Sequence, residues 1–241
     1  MAKGRPESSS ALVEDLVAAN RILARYGVLD AFGHVSVRSD RRPGRYLLSR
    51  SLAPELVQAS DIVEYDLDSN PVRQDAPRPY LERYIHGEIY RARPDAIAVV
   101  HSHSPSVVPF AASTERLRPI YHMAGFLGRG TPVFDIRERF GDTDLLVRNA
   151  DHGRALSERL GAAHVALMRG HGFVAAGPDV PQAVYYAIYT ELNARLQREA
   201  IAIGGRVRFL SDEEAKLAEA TNRAAIDRPW QPWKKRALGE K

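Results

Sequence analysis

Three histidines carry the chemistry this chain can be expected to perform. His101 and His103 stand one residue apart at the end of the apolar run Ala96-Ile97-Ala98-Val99-Val100, and His171 lies between Gly170 and Gly172. Side chains two apart on a strand emerge on the same side, so both imidazoles of the first pair can reach one point while Ser102 turns away. A remote third histidine adds another neutral nitrogen. Three protein ligands leave a coordination position open, as catalytic rather than structural metal sites do. Glycines beside His171 let the backbone turn tightly and an ion approach. With no cysteine in 241 residues, thiolate nucleophiles, disulfides and zinc–thiolate clusters are excluded. A cupin His-x-His needs a glutamate a few residues later, where Val107 and Val108 stand, and no His-Glu-x-x-His of a zinc peptidase occurs. The expected cofactor is one divalent ion per subunit, zinc or manganese first and cobalt or iron otherwise, since geometry and supply decide among them.

The elements that must position these groups alternate between strand and helix. Ser10 to Tyr26 has apolar residues at helical spacing, with serines in front as caps. Gly27 and Gly33 bracket a turn before a strand over His34 to Arg38, and Tyr46 to Ser49 and Ile62 to Asp66 read as further antiparallel strands. Pro79 to Arg91 reads as a helix, Ala96 to Val100 as a core strand, and Ser104-Pro105 as the start of another helix. Val165 to Met168 and Phe173 to Gly177 are strands flanking the turn that holds His171, and Pro181 to Ile203 is a long helix. His152 and His164 fall in expected surface or connecting segments. A single α/β domain over 1–241 is expected, with 222–241, containing Trp230 and Trp233, as a docking C-terminal tail.

Composition narrows the class. Hydrophobic residues at 44% and charged residues at 27% are ordinary globular usage, which excludes disordered and fibrous readings. No apolar run is long enough to span a bilayer, and Met1 to Ser10 is polar, so no membrane is expected and the cytoplasm is the expected location. The net charge of +4 is spread among acidic residues, with only Lys234, Lys235, Arg236 and Lys241 locally basic, so no nucleic-acid partner is expected.

Gly33-His34-Val35-Ser36-Val37-Arg38, Glu82 opening a helix, Val100-His101-Ser102-His103-Ser104-Pro105 and Gly170-His171-Gly172 together resemble the class II aldolase/adducin superfamily over nearly the whole chain. The resemblance implies a three-layer α/β/α sandwich with a mostly antiparallel central sheet. It also implies a divalent ion on His101, His103 and His171, Glu82 as catalytic acid/base or displaceable fourth ligand, and a homotetramer with sites at subunit interfaces. Heterolysis of a carbon–carbon bond leaves an electron pair that must be delocalised onto oxygen, where a metal acts as Lewis acid and a carboxyl group moves the proton. Retro-aldol cleavage and decarboxylation share this electron flow.

The remaining pocket positions separate the two. Where sugar-phosphate relatives carry small polar residues, this chain has His34, Leu48-Ser49-Arg50-Ser51 and Tyr80-Leu81. An imidazole, a guanidinium and a phenol suit a planar carboxylate better than a phosphate. The implied substrate-binding set is His34, Ser49, Arg50, Ser51 and Tyr80, with Arg50 clamping a carboxylate and Tyr80 lining the ring. Phe32 to Arg38, Arg50 to Pro54, Tyr121 to Phe126 and Met168 to Gly172 resemble the branch acting on 3-hydroxy-2-methylpyridine-4,5-dicarboxylate in vitamin B6 degradation, and its relatives acting on dihydroxyphthalates. His122 occupies the place of a tyrosine that an adjacent subunit contributes in the family, and is expected to protonate the ring carbon or hold a carboxylate. His86, one helical turn after Glu82, is expected to be structural. The expected function is decarboxylation of a hydroxylated aromatic or pyridine dicarboxylate. The alternatives are a retro-aldolase for a non-phosphorylated hydroxy acid or sugar derivative, and a non-catalytic adducin-like interaction module.

Overall fold

Ser9 accepts a hydrogen bond from the Leu12 amide and so starts helix α1, Ser10–Arg25, in the computed structural model, which describes residues 8–239. The polar start over residues 1–7 and the basic Lys241 lie outside the described residues. Strands β1 (His34–Arg38), β2 (Arg45–Ser49) and β3 (Ile62–Asp66) follow, then α2 (Tyr84–Ala92), β4 (Ala98–Ser102) and a short α3 (Val108–Ala111). Three-ten turns over His122–Arg129 lead to β5 (Val133–Phe134), α4 (Arg137–Phe140), α5 (Ala150–Leu160), β6 (Val165–Met168) and β7 (Gly172–Gly177). Helices α6 (Val180–Ile203), α7 (Asp212–Ala224) and α8 (Asp227–Leu238) complete the chain. Among the described residues no helix is long and apolar enough to cross a membrane.

The strands form one sheet in the order β3-β2-β1-β4-β7-β6-β5. The pairs β1–β2, β2–β3, β1–β4, β4–β7 and β6–β7 are antiparallel, whereas β5 runs parallel to β6. The expected mostly antiparallel sheet therefore needs amending at that edge: the sheet is mixed. A parallel pair requires a crossover connection, and α4 and α5 supply it. Alternate residues feed two apolar clusters. Val35, Val37, Ala98 and Val100 meet residues of α1, α6 and α8, while Val99, Val174 and Ala176 meet residues of α2 and α5.

Several boundaries differ from those read in the sequence. Strand β4 starts two residues after the apolar run begins and continues through His101 and Ser102, because His34 pairs with His101 and Phe173 with Ser102. Helix α2 starts at Tyr84, so Glu82 precedes the helix instead of opening it. Residues 82 and 83 spend polar groups on tertiary partners: Arg83 donates to Ser69 O, and Glu82 accepts from the Val147 amide. His152 sits within α5, its ring 4.5 Å from Phe140, while His164 lies in a connection and pairs with Glu219 of α7 at 2.8 Å. In the tail, residues 222–224 still belong to α7, and the segment that docks is α8. It packs on α1, with Trp230 and Trp233 buried and Lys234 bridging Glu14 and Asp15.

Candidate active site

Two close backbone approaches bring the three histidines together. Strand β4 delivers His101, with His103 just past its end, and the turn between β6 and β7 delivers His171. Gly170 takes φ +66°, a conformation that favours glycine, and so reverses the chain. Gly172 lies so near β4 that a Cβ there would meet Ser102 O at 1.9 Å. The Ser102 side chain points away, donating to Val28 O.

The result is a cluster in which one ligand atom from each of Glu82, His101, His103 and His171 lies within 4.8 Å of the others. His103 Nε2 is 3.2 Å from His101 Nε2 and 3.1 Å from His171 Nε2. Glu82 Oε2 is 3.4 Å from Nε2 of both His101 and His171. Each ring is anchored by its other nitrogen. His101 Nδ1 donates to Phe173 O (3.2 Å), His171 Nδ1 to Leu145 O (3.0 Å) and His103 Nδ1 to the Asp30 carboxylate. A carbonyl or carboxylate partner forces the proton onto Nδ1, so in the neutral rings three lone pairs face one another. Lone pairs at such spacing repel unless a cation lies between them. Nitrogens about 2.1 Å from a tetrahedral ion would stand about 3.4 Å apart, close to the spacing found. The donor set therefore fits a divalent cation.

At His101 the electrostatics agree with that assignment. Burial pushes His101 down to about 4, which keeps its imidazole neutral and able to ligate. Burial pulls His171 down too, but the Glu82 hydrogen bond and charge outweigh it and its pKa is raised. Both rings face the same carboxylate; the fully enclosed one pays the larger desolvation penalty. Burial alone would raise the Glu82 pKa, yet His101 and His171 together hold it below the carboxylate range. Its Oε1 accepts from the Val147 amide at 2.9 Å, which fixes the side chain.

Around this cluster the other expected residues fall unevenly. His34 lies opposite His101 in the β1–β4 ladder, its ring 5.1 Å from that of His101 and 4.5 Å from Tyr80. The Tyr80 hydroxyl donates to Leu52 O and lies 3.2 Å from Ser49 Oγ, so the phenol secures the 49–52 loop and leaves its ring face toward His34. Arg50, expected to clamp a carboxylate, is paired through Nε with Asp61 at 2.7 Å. Asp61 sits in a three-ten turn before β3, eleven residues on, which makes the pair geometrically available. Ser51 is exposed and its amide binds Arg78 O. His122 begins the three-ten turns, is exposed, holds Asn222 Nδ2 through its carbonyl, and is not part of the ligand cluster of its own chain. Asp30 has no place among the expected residues. Its one detectable signal is position, since an aspartate three residues before Gly33 can accept the Phe32 and Gly33 amides and close the turn, as it does.

Three anchored imidazoles and a carboxylate, gathered at one end of a mixed sheet flanked by helices, are a donor set that fits a divalent cation. Residues 14–198 match the family described as Class II Aldolase and Adducin N-terminal domain, and the chain belongs to that family. Decarboxylase tropJ of Talaromyces stipitatus is 38% identical, with 92% of each chain covered. The 3,4-dihydroxyphthalate decarboxylase of Arthrobacter keyseri is 33% identical, with 83% of each covered. Among solved structures, an aldolase II superfamily protein from Pseudomonas syringae superposes with a TM-score of 0.79 at 22% identity, covering 96% of this chain and 94% of that one.

Proposed function

We propose that this chain is a divalent-metal-dependent decarboxylase of a hydroxylated aromatic dicarboxylate, a carbon–carbon lyase, with His101, His103 and His171 holding the ion. The observation that carries this is the convergence of three outward-anchored imidazoles with Glu82, in a chain extensively similar to two proteins named as decarboxylases. An ion held there would supply a Lewis acid to the substrate oxygen beside the departing carboxylate. The ring carbon bearing the departing carboxylate first takes a proton, which turns the neighbouring hydroxyl-bearing carbon into a carbonyl; carbon dioxide then leaves, and the electron pair of the broken bond restores the aromatic ring and ends on that oxygen. Glu82, fixed by the Val147 amide through Oε1, keeps Oε2 facing the cluster. From there it accepts or returns a proton at the substrate.

His34 and the Tyr80 ring form one wall of the substrate position, with Ser49 and Ser51 in the adjoining loop. Arg50 reaches a carboxylate through its terminal nitrogens, since Asp61 holds Nε. His122 is assigned to the neighbouring subunit's site in a homotetramer, where it protonates the ring carbon or holds the second carboxylate. Zinc or manganese is the proposed ion, with cobalt or iron as alternates. The single domain over 1–241, its three-layer packing and a cytoplasmic location belong to the same proposal. The relative named for 3,4-dihydroxyphthalate supports a benzene dicarboxylate; 3-hydroxy-2-methylpyridine-4,5-dicarboxylate presents the same hydroxyl beside a carboxylate and belongs in the test.

That test measures bound metal and carbon dioxide release with hydroxylated benzene and pyridine dicarboxylates. Stoichiometric metal and release from at least one is expected. No release from any of them at full metal occupancy overturns the proposal, and an aldehyde formed from a hydroxy acid would establish the retro-aldolase reading instead. Protein that takes up no metal would establish the adducin-like binding module.

A further inference from the structure

Behind His34 runs a line of buried hydrogen bonds that no step above uses. His34 Nδ1 lies 2.7 Å from His86 Nε2, His86 Nδ1 lies 2.6 Å from Ser36 Oγ, and Ser36 Oγ lies 2.7 Å from the Tyr90 hydroxyl. His34 and Tyr90 are each 1% exposed and Ser36 and His86 are fully enclosed. In such surroundings an unmade hydrogen bond is costly, so each link holds one proton.

The far end of the line sets its direction. The Tyr90 hydroxyl has one proton, and among the described residues Ser36 Oγ is the acceptor it reaches. Tyr90 therefore donates to Ser36, and the Ser36 proton, which has no other acceptor among the described residues, goes to His86 Nδ1. Burial pushes His86 down to about 3, so the ring is neutral and has a single proton to place. With Nδ1 accepting, that proton sits on Nε2 and is donated to His34 Nδ1. His34 must then carry its own proton on Nε2. The reverse order would strand the Tyr90 proton in the core without an acceptor.

We propose that His86, held by Ser36 and Tyr90, is a positioning residue that locks His34 as its Nε2–H tautomer, making His34 a hydrogen-bond donor to a carboxylate or oxyanion of the substrate. Two observations aim that donor. His34 is the cross-strand partner of His101, on the same face of the sheet and 5.1 Å from its ring, and its Nε2 has no hydrogen-bond partner among the described residues. A fixed N–H next to developing negative charge stabilises it without reorganisation, whereas the other tautomer would turn a lone pair on the same oxygen. The line also excludes a role for His34 as proton donor to carbon. Its terminal group is a phenol whose pKa burial raises, so a proton given up at His34 would not be replaced from behind.

The nature of the bound anion rests on the decarboxylase reading; the tautomer does not. The test uses zinc-loaded full-length protein labelled with 15N at histidine, examined by solid-state NMR, with His34 assigned by its loss in His34→Gln. Affinity for 2,3-dihydroxybenzoate, which presents a hydroxyl beside a carboxylate, is measured alongside by calorimetry. The wild type is expected to show His34 protonated at Nε2. Ser36→Ala removes the donor to His86 with a minimal change in volume, so it should give both His34 tautomers and about tenfold weaker binding at unchanged zinc content. Ser36→Thr, which keeps the hydroxyl, should restore both readouts. His34 protonated at Nδ1 in the wild type, an unmixed tautomer in Ser36→Ala, or mixed tautomers with unchanged affinity would each overturn the proposal. A wild type that does not bind the probe overturns the decarboxylase reading of this pocket, and the tautomer measurement then decides the lock alone.

Discussion

Both oxygens of Asp30 lie 3.1 Å from Nδ1 of His103. The other two rings of the cluster rest their Nδ1 on neutral carbonyls, so His103 is the one whose Nδ1 leans on a charge. Burial would raise the Asp30 pKa, but the Phe32 amide and His103 hold it below its usual range, so the group is a carboxylate. A carboxylate behind an imidazole fixes its tautomer and raises the basicity of the ligating nitrogen.

Asp30→Asn should weaken metal binding about 10- to 100-fold. The Asn oxygen can still accept the Phe32 and Gly33 amides, which leaves its NH2 facing the His103 Nδ1–H. Chelator competition measures the change. Unchanged affinity would mean that Asp30 serves the turn alone.

Glu82→Gln should separate metal binding from turnover. Glutamine retains an acceptor for the Val147 amide but loses the charge and the capacity to carry the proton. Carbon dioxide release is expected to fall by about 100-fold or more, with metal retained. His101→Ala should lose metal and activity together. Equal metal loss in both variants contradicts the division between ligand and proton carrier.

The site was more legible than the elements around it. His101 and His103 can be placed because a His-x-His at the end of an apolar strand has few packing explanations, and His171 because its flanking glycines mark a tight turn. Asp30 is not legible in this way, since its contact with His103 spans 73 positions and depends on how the loop after α1 folds back. Arg50 is readable as a charge in the pocket loop, but its partner Asp61 is set by a three-ten turn that carries no strong pattern. Helix α7 shows why periodicity failed there: its one buried residue is Ala215, and it packs on glycines. A Cβ on Gly125 would meet Ala215 O at 2.5 Å, and one on Gly128 would meet Ala215 Cβ at 2.5 Å. Small-on-small packing leaves no apolar stripe, and the available signal was the capping box of Ser211 and Glu214.

The metal-free protein should lose stability as pH falls from about 6 toward about 4.5. His86 and His101 are pushed down to about 3 and about 4, and His34 is lowered as well, all by burial. In the unfolded chain they titrate near 6.5, so across this window the unfolded state binds protons that the folded state refuses. His171 has the opposite sign: its raised pKa adds stability as pH falls through neutrality, and that gain is nearly complete before the window begins. Urea unfolding at several pH values measures the slope, and His86→Gln should reduce it by about one proton. A slope unchanged by that substitution would mean that His86 is protonated in the fold.

Gly172→Ala should damage the proposed metal site more than Gly170→Ala, although Gly170 has the unusual backbone. At Gly170, φ is +66° and the nearest obstacle to a Cβ is Leu145 Cδ1 at 3.3 Å, the end of a flexible side chain. Alanine there costs about 1 kcal/mol of left-handed strain and leaves the strand spacing intact. At Gly172 the obstacles are backbone: Ser102 O at 1.9 Å and His103 Cα at 2.9 Å. Neither can swing aside, because Ser102 is held in register with Phe173. Relief requires β4 and β7 to separate where His171 meets His101 and His103, which moves one ligand away from the other two. A loss of about 2–3 kcal/mol in stability is expected together with a metal affinity lowered by more than about tenfold. Denaturant titration and chelator competition on both variants measure these effects. Greater metal loss in Gly170→Ala would show that the turn, rather than the close approach of the strands, places His171.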